Sequence, residues 1–471
     1  MYFDSKAIAK LKKQSSKWPW EYGLNGFKSW VLQRLPARFI LWMLKKFLIN
    51  SEYLLKRESV KFFRYSNVAY GANRDKKCER MLVIAFGLID REFDADYVAL
   101  IRNAVRTTLK NSKIRFEYSE KILTSTRRLE IMTLDAGGWY QLSRGLFSLG
   151  YFRAAWVARE KSLDLSISEA VFSDSSSTSL SRGLQAYFER MKLVEAKVLM
   201  TEREDQFSEK QLSQFRNFVG LFERGHMRAH NVEGLRYRKY LTIYEQFIKD
   251  KSVAIVGPGS PHDNYGAEIE GFDTVIRIKF IGNEVLDNRN YHGSKTDISF
   301  IGAINAVKLQ ENSLRGIFAN IRLILSSHTA VDSIASVPVY VIEDDDVVVY
   351  RTTTTSGIRT LKEVVKYSPS NVKVFGFDFY STSTPYSKEM TKFYEKSSWR
   401  FGHPNDFVAD GVYFKFARAR DFSEHDPVSN FCFAQNLYKA GLFDIEPYGK
   451  SILELTPYQY VERLEEMLGD W

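Results

Sequence analysis

Six short runs rich in β-branched residues constrain the fold more than any other feature of the chain. They are Val253 to Val256, Thr274 to Ile278, Asp297 to Ile301, Arg322 to Leu325, Val337 to Ile342 and Val372 to Phe377. Helical stretches separate several of them. Strands of this length that alternate with helices are typical of a mostly parallel sheet covered on both faces. The pattern therefore predicts an α/β domain with a nucleotide-binding architecture.

The preceding segment, residues 82–250, has a different texture. Its apolar residues recur at helical spacing, glycines are sparse and proline is absent, which predicts packed helices. The sequence Leu142 to Leu146 returns as Leu180 to Leu184, so the period is 38 residues. Each copy is followed by a predicted helix with small residues, and Ser173 to Ser179 is predicted as a loop between the units. The spacing resembles a tetratricopeptide-type (TPR-like) helical repeat, either a docking platform or a brace.

Length and texture together predict three regions. The chain has 471 residues, of which 44% are hydrophobic, and single cores stop growing at roughly 250 to 300 residues. We expect a basic, aromatic, helical N-terminal region at 1–80, an all-α TPR-like domain at 81–250 and an α/β domain at 251–471.

The net charge of +10 is concentrated near the N-terminus, where lysines and arginines alternate with aromatic residues such as Trp18, Trp20 and Trp30. This pattern suits peripheral contact with an anionic membrane, and it equally suits ordinary helix cores with solvated basic faces. No nucleic-acid motif accompanies it, so nucleic acid is not an expected partner. The apolar run at 39–44 is too short to cross a bilayer and the two cysteines lie far apart, which favours the cytoplasm, with peripheral attachment to the inner membrane.

A glycine turn, Gly257-Pro258-Gly259-Ser260, follows the first predicted strand. Glycines without a Cβ would let backbone amides approach a phosphate at the carboxyl edge of the sheet, although a purely structural turn fits as well. Arg277 ends the second predicted strand and would point toward the same crevice, where it could hold a phosphate or a carboxylate. A structural ion pair is the alternative for Arg277.

The residues that continue from this turn resemble the large sialylmotif of the animal-type sialyltransferases. They run through Tyr265-Gly266, Ile269 to Arg277 and Gly293 to Asp297. Where the family has asparagine, this chain has Pro258 and Lys279, and the family's disulfide cysteine is missing. The resemblance implies a set of donor-nucleotide contacts, which are Gly257, Gly259, Ser260, Asn264, Arg277 and Lys279.

Three further blocks follow in the family's order. Thr355-Ser356-Gly357, before a helix predicted at Ile358 to Lys366, resembles the small motif, where hydroxyls and amides at a helix start can bind an anion or simply cap the helix. Tyr394-Glu395 resembles the aromatic-acid motif. His425 to Phe431, before a helix predicted at Cys432 to Ala440, resembles the very small motif, with Asn430 in place of the family's glutamate.

The resemblance implies a GT-A-like variant fold and an inverting, metal-independent transfer from a CMP-sugar. His425 would serve as general base for the acceptor hydroxyl, since a histidine with a pKa near 6.5 can accept a proton at neutral pH. The sugar would be sialic acid or Kdo, and the acceptor a glycan or glycolipid of a bacterial capsule or lipopolysaccharide. No cofactor is expected. Two alternatives stay open: a non-catalytic helical scaffold with a degenerate nucleotide-binding domain, and a transferase that uses a UDP- or GDP-sugar.

Overall fold

The structure is a computed structural model. It describes residues 82–87, 89, 93–110, 115–129, 134–172, 176–224, 235–259, 263–278, 289–302, 321–327, 337–342, 349–382 and 425–469. The chain divides into two compact units, of which one ends at Arg159 and the other begins at Glu160.

The helices fall into an N-terminal series and a series interleaved with strands. The first series is α1 (Ala95–Lys110), α2 (Arg115–Arg128), α3 (Ala136–Leu149), α4 (Phe152–Val171), α5 (Ser177–Glu189), α6 (Leu193–Glu202), α7 (Glu209–Arg224) and α8 (Leu235–Ile248), with a 3₁₀ turn at Glu204–Gln206. The second is α9 (Gly266–Glu270), α10 (Arg289–His292), α11 (Ser356–Val365), α12 (Pro427–Lys439), α13 (Pro447–Leu453) and α14 (Pro457–Gly469).

The described strands form one sheet in which every pairing is parallel. They are β1 (Ser252–Val256), β2 (Thr274–Ile278), β3 (Ile298–Phe300), β4 (Leu323–Ser326), β5 (Val339–Val341), β6 (Asn371–Phe375) and β7 (Asp444–Ile445). Their order across the sheet is β5-β4-β3-β2-β1-β6-β7. The predicted α/β class and parallel sheet are confirmed.

The sheet interior explains why the six predicted strands lie within two residues of their observed positions. β1 and β2 are buried along almost their whole length, and Ala254, Val256 and Val275 form a core with Phe375. Strands that are buried on both faces consist of continuous apolar runs, which can be recognised directly in a sequence. The two-residue strand β7 has no such run and was missed.

In the unit that ends at Arg159, helices α1 and α2 pack through Tyr97, whose hydroxyl lies 2.7 Å from the Thr126 hydroxyl. Burial raises the pKa of Tyr97 well above its usual range. Asp135 caps α3 by accepting a hydrogen bond of 2.7 Å from the Gly138 amide. The first copy of the five-residue repeat, Leu142 to Leu146, lies within this helix.

The unit that begins at Glu160 contains the rest of α4, helices α5 to α8 and the sheet with its helices. The second repeat copy lies in α5, where Gly183 allows close contact with α4, because a Cβ there would lie 2.3 Å from that of Ala170. The predicted loop at Ser173 to Ser179 ends earlier than expected. The Ser176 side chain accepts a hydrogen bond from the Ser179 amide and begins α5 at Ser177.

No described helix has both the length and the hydropathy that a membrane crossing requires.

Candidate functional site

The direction of the chain across the sheet reverses between β1 and β6. From β1 the chain proceeds to β2, β3, β4 and β5 on one side, and then returns to β6 on the other side of β1. In open parallel sheets, ligands bind in the crevice outside the carboxyl ends of the strands at such a switch point. The two segments that leave these strand ends begin with Gly257 and Gly376.

A cavity of about 170 Å³ lies at this edge. Four segments that are far apart in sequence contribute its walls, together with Ile278 from the end of β2 and Tyr460 from α14. The segments supply Pro258 and Gly259 after β1, Thr355 to Ile358 at the start of α11, Gly376 to Tyr380 after β6, and His425, Pro427, Asn430 and Phe431 at the start of α12.

The glycine turn after β1 is packed directly against the turn after β6. A Cβ at Gly257 would lie 2.5 Å from the Gly376 carbonyl oxygen, and one at Gly259 would lie 2.6 Å from the same atom. Gly376 has φ +67°, a conformation that favours glycine. The Gly257 amide donates to the Phe375 carbonyl at 2.7 Å. Gly257 therefore packs against the turn after β6, and Gly259 lines the cavity.

Helix α11 begins at the cavity wall. Thr355 precedes it in an extended conformation, and its side chain makes no capping hydrogen bond. Gly357 lies against a ring, because a Cβ there would be 2.6 Å from Cζ of Phe377. The first amides of a helix have no acceptor within the helix, and the helix dipole favours anions at this end. The wall formed by Thr355, Ser356 and Gly357 therefore suits a phosphate or carboxylate.

Helix α12 begins at Pro427, five residues before its predicted start. Asp426 is fully buried and its Oδ1 accepts hydrogen bonds from the amides of Val428 (2.9 Å) and Ser429 (3.1 Å). An aspartate cap followed by proline at the first helical position is a strong helix start. This cap places His425, half-buried, on the cavity wall directly before the helix.

Asn430 ties the two helix starts together. Its Oδ1 accepts a hydrogen bond of 2.7 Å from the Thr355 amide, and its Nδ2 donates to the Asp426 carbonyl at 2.8 Å. The side chain is 3% exposed and borders the cavity. A carboxylate could accept the first bond but could not donate the second, so the amide at this position is explained by the geometry.

Three predicted donor contacts do not line the cavity. They are Gly257, whose amide donates to the Phe375 carbonyl, and Arg277 and Asn264. Arg277 is 3% exposed, and its guanidinium donates to the carbonyls of Lys295 (3.1 Å) and His292 (2.7 Å) and to the Thr296 hydroxyl (2.9 Å). Burial lowers its pKa to about 10. These contacts correct the expectation that Arg277 points toward the donor crevice. The acceptors are carbonyl and hydroxyl oxygens, not the carboxylate of the alternative ion pair. Asn264 is exposed and does not line the cavity.

Four other predicted site residues, Ser260, Lys279, Tyr394 and Glu395, lie outside the described residues.

The cavity also contains residues that sequence reasoning missed. Asp378 accepts a hydrogen bond from the Tyr380 amide at 3.0 Å and another from the Thr382 hydroxyl. Phe379 and Tyr380 have φ of 48° and 63°, which is unusual for consecutive residues other than glycine and is often associated with functional sites. The position of Asp378 after a predicted parallel strand was the signal that could have found it.

Glu446 is a buried carboxyl group directly behind this wall. It is 1% exposed, and its Oε1 accepts a hydrogen bond of 3.1 Å from the Gly376 amide, while Oε2 has no partner among the described residues. Burial raises the pKa of Glu446 to about 7; the nearby Asp378 acts in the same direction and the Gly376 hydrogen bond opposes it. The turn after β6 therefore rests on a carboxyl group that titrates near neutrality.

The described geometry thus combines a helix start, a glycine turn and a histidine around one cavity. No protein-family model, curated protein or solved structure matches the chain.

Proposed function

We propose that the chain is a glycosyltransferase that moves an acidic 3-deoxy-ulosonic sugar, sialic acid or Kdo, from a CMP-sugar to a glycan hydroxyl. The observation that carries the proposal is the convergence of Gly259, Thr355 to Gly357, His425 and Asn430 on one cavity at the switch point. These residues come from three of the four blocks that resemble sialylmotifs. Their position around one cavity supports the proposal.

The division of roles follows from the charges that develop during transfer. The bond from C2 of the sugar to the CMP phosphate oxygen breaks, and the phosphate gains negative charge as CMP leaves. The start of α11 and the turn at Gly259 would stabilise that charge with backbone donors that are already oriented. His425 would accept the proton of the acceptor hydroxyl as its oxygen forms the new bond to C2, with inversion at that carbon.

The finer parts of the proposal rest on the sequence alone. They are a GT-A-like variant of the parallel-sheet fold, TPR-like packing in the helices before it, and a reaction without a metal or other cofactor. The acceptor would be a glycan or glycolipid of a bacterial capsule or lipopolysaccharide, reached from the cytoplasm. The basic, aromatic N-terminal region, which lies outside the described residues, would provide peripheral contact with an anionic inner membrane.

Nucleotide binding and donor turnover test this proposal. Thermal unfolding of the whole chain with CMP, UMP or GMP should show stabilisation by CMP, because a ligand that binds only the folded state raises the melting temperature. Incubation with CMP-sialic acid and with CMP-Kdo should release CMP from one of them when acceptor is present. A preference for UMP or GMP would indicate a different sugar nucleotide, and no response to any nucleotide would favour the non-catalytic scaffold.

A further inference from the structure

The last residue of helix α5, Glu189, contacts the helix that carries the start of the candidate site. Its carboxylate Oε2 accepts a hydrogen bond of 3.1 Å from the Ser429 hydroxyl, and its backbone carbonyl accepts one of 3.2 Å from the Asn436 side chain. Ser429 and Asn436 lie two turns apart on α12. One residue of α5 therefore holds α12 at two points along its length.

The contact at Ser429 lies in the first turn of α12, close to the cavity. Ser429 is 1% exposed, and its hydroxyl is also 3.3 Å from the Tyr350 carbonyl. A hydroxyl has one proton to donate, and the charged, nearer carboxylate of Glu189 is the stronger acceptor.

Helices α4 and α5 both contact the segment that leads into α11. The Tyr350 hydroxyl donates to the Ser162 carbonyl at 2.9 Å and lies 2.8 Å from the Ser166 hydroxyl. The Arg351 amide donates to the Gln185 side chain at 3.1 Å, in a residue with φ 51°. Gln185 and Glu189 are one turn apart on α5 and share a face, so one face of α5 contacts both cavity-forming segments.

We propose that Glu189 is a positioning residue of the candidate site. It fixes the first turn of α12, which carries Asn430 and follows His425, relative to the segment that begins α11 at Ser356. Contacts of α5 outside the cavity thus fix the relative position of the two helix starts that the hydrogen bond from the Thr355 amide to Asn430 joins. Helix α5 therefore helps to position the residues of the site. The inference rests on the proposed function only for its effect on turnover.

The test compares Glu189→Ala with Glu189→Gln in the full chain, and uses Glu195→Ala, at an exposed position in α6, as the matched control. The glutamine variant keeps an oxygen that accepts from Ser429, whereas alanine leaves that buried hydroxyl without its stronger acceptor. Hydrogen–deuterium exchange of peptides covering 350–360 and 425–436 gives a readout that needs no activity. Glu189→Ala should accelerate exchange there by about tenfold, and Glu189→Gln should restore most of the protection.

Turnover provides the second readout. In Glu189→Ala, CMP release should fall mainly through kcat with the melting temperature still well above the assay temperature, and Glu189→Gln should recover it. Exchange in Glu189→Ala equal to that in the wild type and in Glu195→Ala would overturn the inference. A wild-type chain that releases no CMP from either donor would overturn the proposed function instead, while the exchange result would still decide the role of Glu189.

Discussion

Single residues at the cavity have two roles, since they line its wall and also contact the neighbouring segments that form it. Asn430 accepts from one helix start and donates to another, and Gly259 lines the cavity while packing on Gly376. Several such positions could be selected from the sequence, because they lie in motifs beside predicted strand ends and helix starts. The contacts of Arg277 could not be predicted, since a sequence does not reveal that the carbonyls of His292 and Lys295 accept hydrogen bonds from its guanidinium.

The hydrogen bonds of Asn430 predict a specific response to Asn430→Asp. The new carboxylate can still accept from the Thr355 amide, but it cannot donate to the Asp426 carbonyl and places two acceptors in contact in a buried site. We expect the free energy of unfolding at pH 7.5 to fall by about 2 kcal/mol, measured by urea denaturation. Asn264→Asp, at an exposed position, should change it by less than about 0.5 kcal/mol. Equal effects of the two variants would contradict the bridging role.

Glu446 predicts a pH-dependent stability. Because its pKa is raised from 4.5 to about 7, the folded chain holds this proton more tightly than the unfolded chain. The contribution of the protonated group is complete below pH 4.5 and is lost as the pH rises through 7. Glu446→Gln should match the wild type at pH 4 and be more stable at pH 8, by up to roughly 3 kcal/mol. Denaturation curves at both pH values check this, and a difference that does not change with pH would contradict it.

At the scale of elements, the sequence predicts those strands and helices that leave a pattern of buried or capping residues. The β-branched runs gave six strands, and the helix predicted after Gly357 is observed at Ser356–Val365. Helix α12 begins five residues before its predicted start, because Asp426 and Pro427 cap it within the block that resembles the very small motif. Strand β7 is two residues long and forms through its pairing with β6, so no local sequence pattern predicts this strand.

Close packing at the start of α11 makes Gly357→Ala destabilising. Alanine normally favours a helix over glycine, but here its Cβ would lie 2.6 Å from the Phe377 ring. We expect a loss of roughly 1 to 3 kcal/mol in the free energy of unfolding. The matched variant is Gly220→Ala in α7, where no atom of the described residues beyond the local helix backbone lies within 4 Å of the new Cβ. It should stabilise by roughly 0.5 to 1 kcal/mol, and the same sign for both would contradict the packing account.

The cap of α12 should matter more than an exposed cap in the same unit. Asp426→Ala removes acceptors for two buried amides, and we expect a loss of about 2 kcal/mol. Ser176→Ala at the exposed cap of α5 should cost about 1 kcal/mol or less. Thermal unfolding with and without CMP separates the roles, because only the Asp426 variant should also weaken the stabilisation by CMP.

At the scale of the whole molecule, the unit that begins at Glu160 contains the sheet, the end of α4 and helices α5 to α14. Long-range hydrogen bonds such as those of Tyr350 with Ser162 and of Ser429 with Glu189 connect them. A pattern of local periodicity contains no signal for such contacts, since each partner is an ordinary serine, tyrosine or glutamate in its own helix or loop. The predicted boundaries at residues 80 and 250 stay predictions.

The function of the whole chain is tested most directly by CMP release from CMP-sialic acid and CMP-Kdo, with the wild type and His425→Ala compared at equal concentration. We expect the wild type to release CMP from one donor when acceptor is present. His425→Ala should be slower by a factor of about 10² to 10⁴, with the thermal stabilisation by CMP unchanged. Near-normal release by His425→Ala would contradict the assignment of this histidine as the general base.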